Sequence, residues 1–318
     1  MEEQVNTPAA VRIREVGPRD GIQSERAQVA TLDKVALIDA LSGTGLRFIE
    51  AVSFVSPKAV PNMADAREVW SSITRHDGVF YSALVPNAKG AEIAAEAGVD
   101  GMQVFVAASD SYNLRNLRRT VEESIPDVEA VAEVARSAHI PVQGTISTAF
   151  GCPYEGDVPP GRVVQVSRWM TEAGVGSISY GDTTGMGTPR RVRDVIEALR
   201  SKLPELELNM HFHDTRGTGL ANVLTALELG VDYFDASVGG MGGSPYAEGA
   251  TGNIATEDLV HMLEDMDIDT GVDLGKLIEG ARFAQSIIEG RLPSKMLRAG
   301  PRSDVRGRVT KQDLDSRV

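Results

Sequence analysis

Short apolar runs alternate along this chain with longer stretches whose apolar residues recur at three- and four-residue intervals. The short runs lie near Val11–Val16, Phe48–Val52, Val79–Leu84, Gly101–Val106, Val142–Ser147, Ser177–Tyr180, Leu208–His213 and Tyr233–Ser237. Each is too brief for a helix and is bounded by turn residues, so each is predicted as a strand. The stretches Leu32–Leu41, Val163–Glu172, Arg191–Lys202 and Leu220–Leu229 read as amphipathic helices. In four places a helix-like stretch meets a glycine stop and then a strand, as in Glu96-Ala-Gly-Val-Asp and Glu228-Leu-Gly-Val-Asp. The uneven spacing excludes a solenoid. Regular alternation of strand and helix points to parallel βα units, and eight of them are the arithmetic of a TIM barrel. The alternative, a doubly wound open sheet, lacks the expected GxGxxG after its first strand, where Gly17-Pro-Arg-Asp-Gly21 stands instead. The expected fold is therefore α/β: a tail over 1–10, a (β/α)8 barrel over 11–290, and a polar, basic, mobile C-terminal helical extension over 291–318.

Composition narrows the picture. In 318 residues, 32 Lys and Arg face 45 Asp and Glu, a net charge of −13, which argues against nucleic-acid and anionic-membrane partners. No 18-residue apolar run suggests a membrane span, and Met1–Pro8 lacks the basic and apolar regions of a signal peptide. The one cysteine, Cys152, excludes an internal disulfide framework and a multi-cysteine zinc site. This usage fits a reducing cytoplasm.

The strongest local chemistry is His211-Phe-His-Asp214, at the end of a β-like run. Period-two geometry puts His211 and His213 on one face, where two imidazoles can hold a divalent metal; two hydrogen-bonded barrel histidines are the bland alternative. A hard cation needs oxygen ligands as well. On the same barrel rim, Asp20 and Asn253 are the candidates, although Asp20 could merely serve the turn before Gly21 and Asn253 could cap a helix. The cap is better filled by Thr256, ahead of Glu257 and Asp258. The glycine-rich loop Gly239–Gly252 reads as either a surface turn or a lid.

These motifs, taken together, resemble the 3-hydroxy-3-methylglutaryl-CoA lyase family. The resemblance rests on Val16–Gln23, Phe48–Pro57, Gly151-Cys-Pro-Tyr-Glu-Gly156, Gly181–Pro189, His211-Phe-His-Asp-Thr215 and Gly242–Asp258, in order from about Val11 to Glu289. The wider group includes condensing synthases for isopropylmalate and homocitrate, and 4-hydroxy-2-oxo acid aldolases. The Gly-Pro-Arg-Asp-Gly form of the first motif looks like the lyase branch. The resemblance implies a metal-dependent retro-Claisen cleavage of a 3-hydroxyacyl-CoA to acetyl-CoA and a keto acid: acetoacetate from the namesake substrate, pyruvate from citramalyl-CoA. It implies Asp20, His211, His213 and Asn253 as ligands of Mg²⁺ or Mn²⁺. Arg19 would stabilise the enolate, and Asp20 would also be the candidate general base. Glu50 would be an alternative acid, and Gln23, Ser53, Ser179 and Asp182 would orient substrate or ligands. A homodimer or higher homo-oligomer is implied too. In one place the chain departs from the family: Ser244 stands in Gly242-Gly-Ser-Pro245, where the lyases carry a lid cysteine that takes part in proton transfer. A serine hydroxyl is far less acidic than a thiol of pKa about 8.5. After strand 4, Arg115, Arg118 and Arg119 gather with Asn113 and Asn116, either as a solvated helix face or as a site for an anionic acyl or CoA group.

Overall fold

The computed structural model describes residues 7–243 and 252–302. Strands β1 (Arg12–Glu15), β2 (Phe48–Ser53), β3 (Phe80–Leu84), β4 (Gly101–Ala107), β5 (Val142–Ser147), β6 (Ser177–Gly181), β7 (Glu207–His211) and β8 (Tyr233–Ala236) close into a parallel barrel in sequence order. Closure comes from β1 pairing with β8, Arg14 opposite Asp235. The helices between them are α1 (Thr31–Ser42), α2 (Ala66–Ser72), α3 (Ala88–Ala97), α4 (Asp110–Leu117), α5 (Val121–Ser137), α6 (Pro160–Glu172), α7 (Pro189–Lys202) and α8 (Gly219–Glu228); α9 (Thr256–Asp265), α10 (Leu274–Ile287) and the short α11 (Met296–Ala299) follow β8. Among the described residues, no helix is long and apolar enough to cross a membrane.

Local sequence explains the helix limits. Pro160 and Pro189 open α6 and α7, where a missing N–H costs nothing. Thr120 and Glu123 form a reciprocal capping box on α5. Gly98 ends α3 in the left-handed conformation at φ 72°. On α7, Val192, Val195, Ile196 and Leu199 are buried at helical spacing.

Alternation along the strands separates two interiors. One set of side chains, including Ile13, Ile49, Met102, Ile178, Met210 and Phe234, is buried in the apolar core beneath the helices. The other set faces the barrel lumen, and it is polar. Arg14 on β1 donates across the barrel to Gln143 on β5, a contact only the lumen allows. Branched apolar residues usually fill such an interior. Here it holds a buried polar layer that includes Ser82, Gln103, Ser179, Asn209 and Asp235.

Two expectations need correction. Thr256 is not the N-cap of α9: Ala255 occupies that position, and the Thr256 hydroxyl donates to Glu15 Oε2 at 2.6 Å. Nor is the first stretch of the C-terminal extension loose. Leu292 is buried, Ser294 N–H donates to Gly239 O at 3.2 Å, and Asp258 accepts from the backbone N–H of Lys295 and Met296. Residues 303–318 lie outside the described part.

Candidate active site

The first βα loop is a five-residue π-helical turn, Gly17-Pro-Arg-Asp-Gly21, closed by Gly21 N–H donating to Val16 O at 3.4 Å, an oxygen that also accepts from Asp20 N–H at 2.7 Å. It turns Arg19 and Asp20 over the C-terminal rim. The Arg19 guanidinium donates to Glu50 Oε2 through Nε at 2.7 Å and to Asp20 Oδ1 through Nη1 at 2.8 Å. Glu50 lies buried beneath it, so Arg19 is clamped between two carboxylates.

Asp20 and the two histidines converge, with one ligating atom from each lying within 4.8 Å of the others. β7 ends at His211. His213 lies beyond it, in an isolated antiparallel bridge with Asn253, so the second histidine is placed by the returning chain rather than by strand geometry. The two Nε2 atoms are 3.2 Å apart. Asn253 Nδ2 donates to Asp20 Oδ2 at 2.8 Å and to Met241 O at 3.0 Å. Its Oδ1 is buried without a partner, as is His213 Nδ1. Buried polar atoms are normally satisfied, so an orphaned acceptor beside two facing imidazoles and a carboxylate fits a cation site.

Electrostatics follow from burial. Burial alone would raise the Asp20 carboxyl, but the charges of Arg19 and His211 and the Asn253 hydrogen bond hold it below its ordinary range. Burial works against a charged His211, yet Asp235 and Asp20 outweigh it and raise its pKa. Burial and then His211 push His213 down to about 3. That leaves it a neutral imidazole, the form that binds metal.

A cavity of about 150 Å³ opens beside this cluster. Arg19, Asp20, Gln23, Asn116, His211 and His213 line its polar side; Leu84, Phe105 and Tyr112 line an apolar side. Gln23 Oε1 has no partner. Asn253 and four other expected residues are not among the lining. Glu50 sits under Arg19, and Ser53 is buried with its hydroxyl unpartnered. Ser179 donates into the lumen to Asp235 Oδ2 at 2.9 Å. Asp182 turns away to accept from Gly187 N–H at 2.8 Å, and burial pushes its carboxyl up to about 7. Ser244 lies outside the described residues.

The basic cluster after β4 divides. Arg115 stacks over Tyr154 at 4.3 Å, Arg118 caps α4 at φ 61°, and Arg119 pairs with Asp127. Asn113 is structural, with its amide filled by Ala107, Arg119, Thr120 and Ser124. Cys152 is buried in a tight bridge with Gly156. Residues that local pattern did not single out also shape the site. Glu15 accepts from Gly17 and Val238 N–H and from Thr256, tying the Arg19–Asp20 turn to the root of the glycine-rich loop. Asp235 gathers donors beneath His211. Charged residues inside strands were the available signal, since a lumen this polar must place them there.

The comparisons with known proteins agree with this geometry. Residues 10–283 match the family described as HMGL-like. The chain belongs to the HMGL-like family. It is 47% identical over 290 residues to the hydroxymethylglutaryl-CoA lyase of Bacillus subtilis, covering 91% of this chain and 97% of that one. It is 46% identical over 278 residues to a 3-hydroxy-3-isohexenylglutaryl-CoA/hydroxy-methylglutaryl-CoA lyase of Pseudomonas aeruginosa, covering 87% and 93%. Among solved HMGL-like structures, an HMG-CoA lyase from Acinetobacter baumannii in complex with coenzyme A and 3-methylmalate superposes with a TM-score of 0.90 at 40% identity, covering 97% of this chain and all of that one.

Proposed function

We propose that this protein cleaves a 3-hydroxy-3-methylglutaryl-CoA-like thioester to acetyl-CoA and a keto acid, acetoacetate for the namesake substrate. Beyond the family relationship, the observation that carries this reading is the convergence of Asp20, His211 and His213 beside the clamped Arg19, next to Asn253, whose amide touches Asp20 and whose Oδ1 is unpartnered. Asp20, His211, His213 and Asn253 would hold a divalent cation, Mg²⁺ or Mn²⁺; their mix of oxygen and imidazole donors suits either. When bound, such an ion supplies a Lewis acid for the substrate's oxygens.

The chain's own residues account for the remainder. In the cleavage, the tertiary hydroxyl loses its proton, the C2–C3 bond breaks, and its electrons enter the thioester enolate, which is protonated at C2 to give acetyl-CoA. Arg19 presents a cation fixed from behind by Glu50, so it neutralises the enolate without having to reorganise. Asp20, ionised through its neighbours, is the base toward the hydroxyl. Gln23 and Asn116 offer polar contacts, and Leu84, Phe105 and Tyr112 form the wall for the 3-substituent. Ser244 occupies the position from which the lid of the family's lyases supplies its thiol, so the returning proton comes more slowly or from another acid.

The compartment we assign is the cytoplasm, and the assembly a homodimer or higher homo-oligomer, read from the family and checked by light scattering. Purified protein with divalent metal should release acetyl-CoA and acetoacetate from 3-hydroxy-3-methylglutaryl-CoA. A substrate panel adds citramalyl-CoA, 3-hydroxy-3-isohexenylglutaryl-CoA and, for the synthase and aldolase alternatives, acetyl-CoA plus a 2-oxo acid and a 4-hydroxy-2-oxo acid. Turnover only on the last two would overturn the lyase reading.

A further inference from the structure

The polar lumen beneath the site is organised around one carboxylate. Asp235 on β8 accepts from Arg14 Nε at 2.9 Å and Asn209 Nδ2 at 2.8 Å through Oδ1. Through Oδ2 it accepts from Arg14 Nη2 at 2.6 Å and Ser179 Oγ at 2.9 Å, and it faces His211 Nδ1 at 3.1 Å. These partners come from β1, β6 and β7, and Asp235 is 2% exposed. Arg14 is itself buried and held from the far side of the lumen by Gln143. A guanidinium cannot accept a hydrogen bond, so two of Asp235's five contacts are donors by chemistry alone, and their charge keeps it ionised. An ionised carboxylate only accepts. The ring nitrogen facing it must therefore carry the proton.

We propose that Asp235, anchored by Arg14, is a positioning residue that holds His211 as the Nδ1–H tautomer, turning the Nε2 lone pair toward Asp20 and His213. Orientation follows from the same contact. His211 is the last residue of its strand, and Asp235 is its fixed partner on the lumen side, while Nε2 lies 3.2 Å from His213 Nε2. A carboxylate behind a ligating imidazole also makes that imidazole a better donor, and loss of such a partner commonly weakens metal binding by about 10–100-fold. This inference rests on the metal-site reading above.

The first test is nitrogen-15 NMR of the five histidines without added metal, at a pH above the raised His211 titration where its ring is neutral, with His211→Gln used for assignment. Shifts typical of an Nδ1–H imidazole at His211 support the proposal; an Nε2–H imidazole overturns it. The second test is Mn²⁺ binding by calorimetry. Asp235→Asn keeps the volume but turns an NH2 toward donors, favouring the Nε2–H tautomer and a 10–100-fold weaker Kd. Ser179→Ala removes a donor but leaves the Asp235–His211 contact, and should shift Kd less than threefold. In a His211→Gln background, where the glutamine oxygen leaves weak Mn²⁺ binding to measure, Asp235→Asn should add no further loss, which a merely structural role would not reproduce. Wild-type Mn²⁺ affinity in a folded Asp235→Asn overturns the proposal, provided His211→Gln weakens binding. If His211→Gln also binds normally, the metal site itself is wrong. Should Asp235→Asn not fold, the tautomer measurement on the unaltered protein still decides.

Discussion

Gly242 offers a direct probe of how the returning loop serves the candidate cation site. Its φ is +118°, where side chains are strained by about 1–3 kcal/mol. An added Cβ would lie 2.4 Å from Asn253 Nδ2 and 3.3 Å from Asp20 Oδ2. Carbon in ordinary contact sits at about 3.5 Å or more, so Asn253 must retreat by about 1 Å. Its amide cannot retreat freely, because it bridges Asp20 at 2.8 Å and Met241 O at 3.0 Å. Losing both bonds adds about 1 kcal/mol each. Gly242→Ala should therefore lose about 3–5 kcal/mol of stability and, by displacing Asn253 Oδ1 from the cluster, bind Mn²⁺ about 10–100-fold more weakly. Chemical denaturation and calorimetry read the two effects separately. Gly78→Ala is the control: its φ is +81°, but nothing lies within 4 Å of the new Cβ, so it carries strain without displacement. If Gly242→Ala binds Mn²⁺ as tightly as Gly78→Ala does, Asn253 is not part of the site.

Three further outcomes follow from named contacts. Asp20→Ala and His211→Ala should each abolish stoichiometric metal binding, measured by equilibrium dialysis with elemental analysis; full retention in either would remove that residue from the ligand set. Burial pushes Glu257 up to about 7 from an unfolded value near 4.5, so its neutral form stabilises the fold fully below about 4.5, and that contribution is lost as pH rises through about 7. The stability of Glu257→Gln relative to the unaltered protein should therefore rise between those limits and level off above them; a pH-independent difference in denaturation midpoints would refute this. Ser244→Cys should raise the lyase rate if proton return limits it, and an unchanged or lower rate in a stopped-flow assay would show that the thiol alone is not what is missing.

The barrel was legible in the sequence because the outward face of each strand buries apolar residues, as Ile13, Ile178 and Phe234 do. That face produces the short runs and, with amphipathic helices such as α7, the βα rhythm. The histidine pair was legible as a local motif. What placed His213 was not: its bridge to Asn253, forty residues on, depends on a loop return that no periodicity encodes. Asp235 was equally hidden, since an acid within a strand gains meaning only when Arg14, Ser179, Asn209 and His211 arrive from other strands. Thr256 had the composition of an N-cap, but the buried Glu15 recruits its hydroxyl. The polar composition of the extension suggested a mobile tail, but Asp258 collects its backbone N–H groups and Leu292 packs at Gly239.

Cleavage of a 3-hydroxy-3-methylglutaryl-CoA-like thioester at this site would depend on a divalent cation at Asp20, His211, His213 and Asn253. The most direct measurement is acetyl-CoA and acetoacetate release from 3-hydroxy-3-methylglutaryl-CoA by the purified protein, before and after chelation and after Mg²⁺ or Mn²⁺ is restored. The two products should appear in equal amounts, be lost on chelation, and recover with either ion in the unaltered protein but not in His211→Ala. Undiminished cleavage by the chelated protein, or no cleavage with metal present, would contradict it.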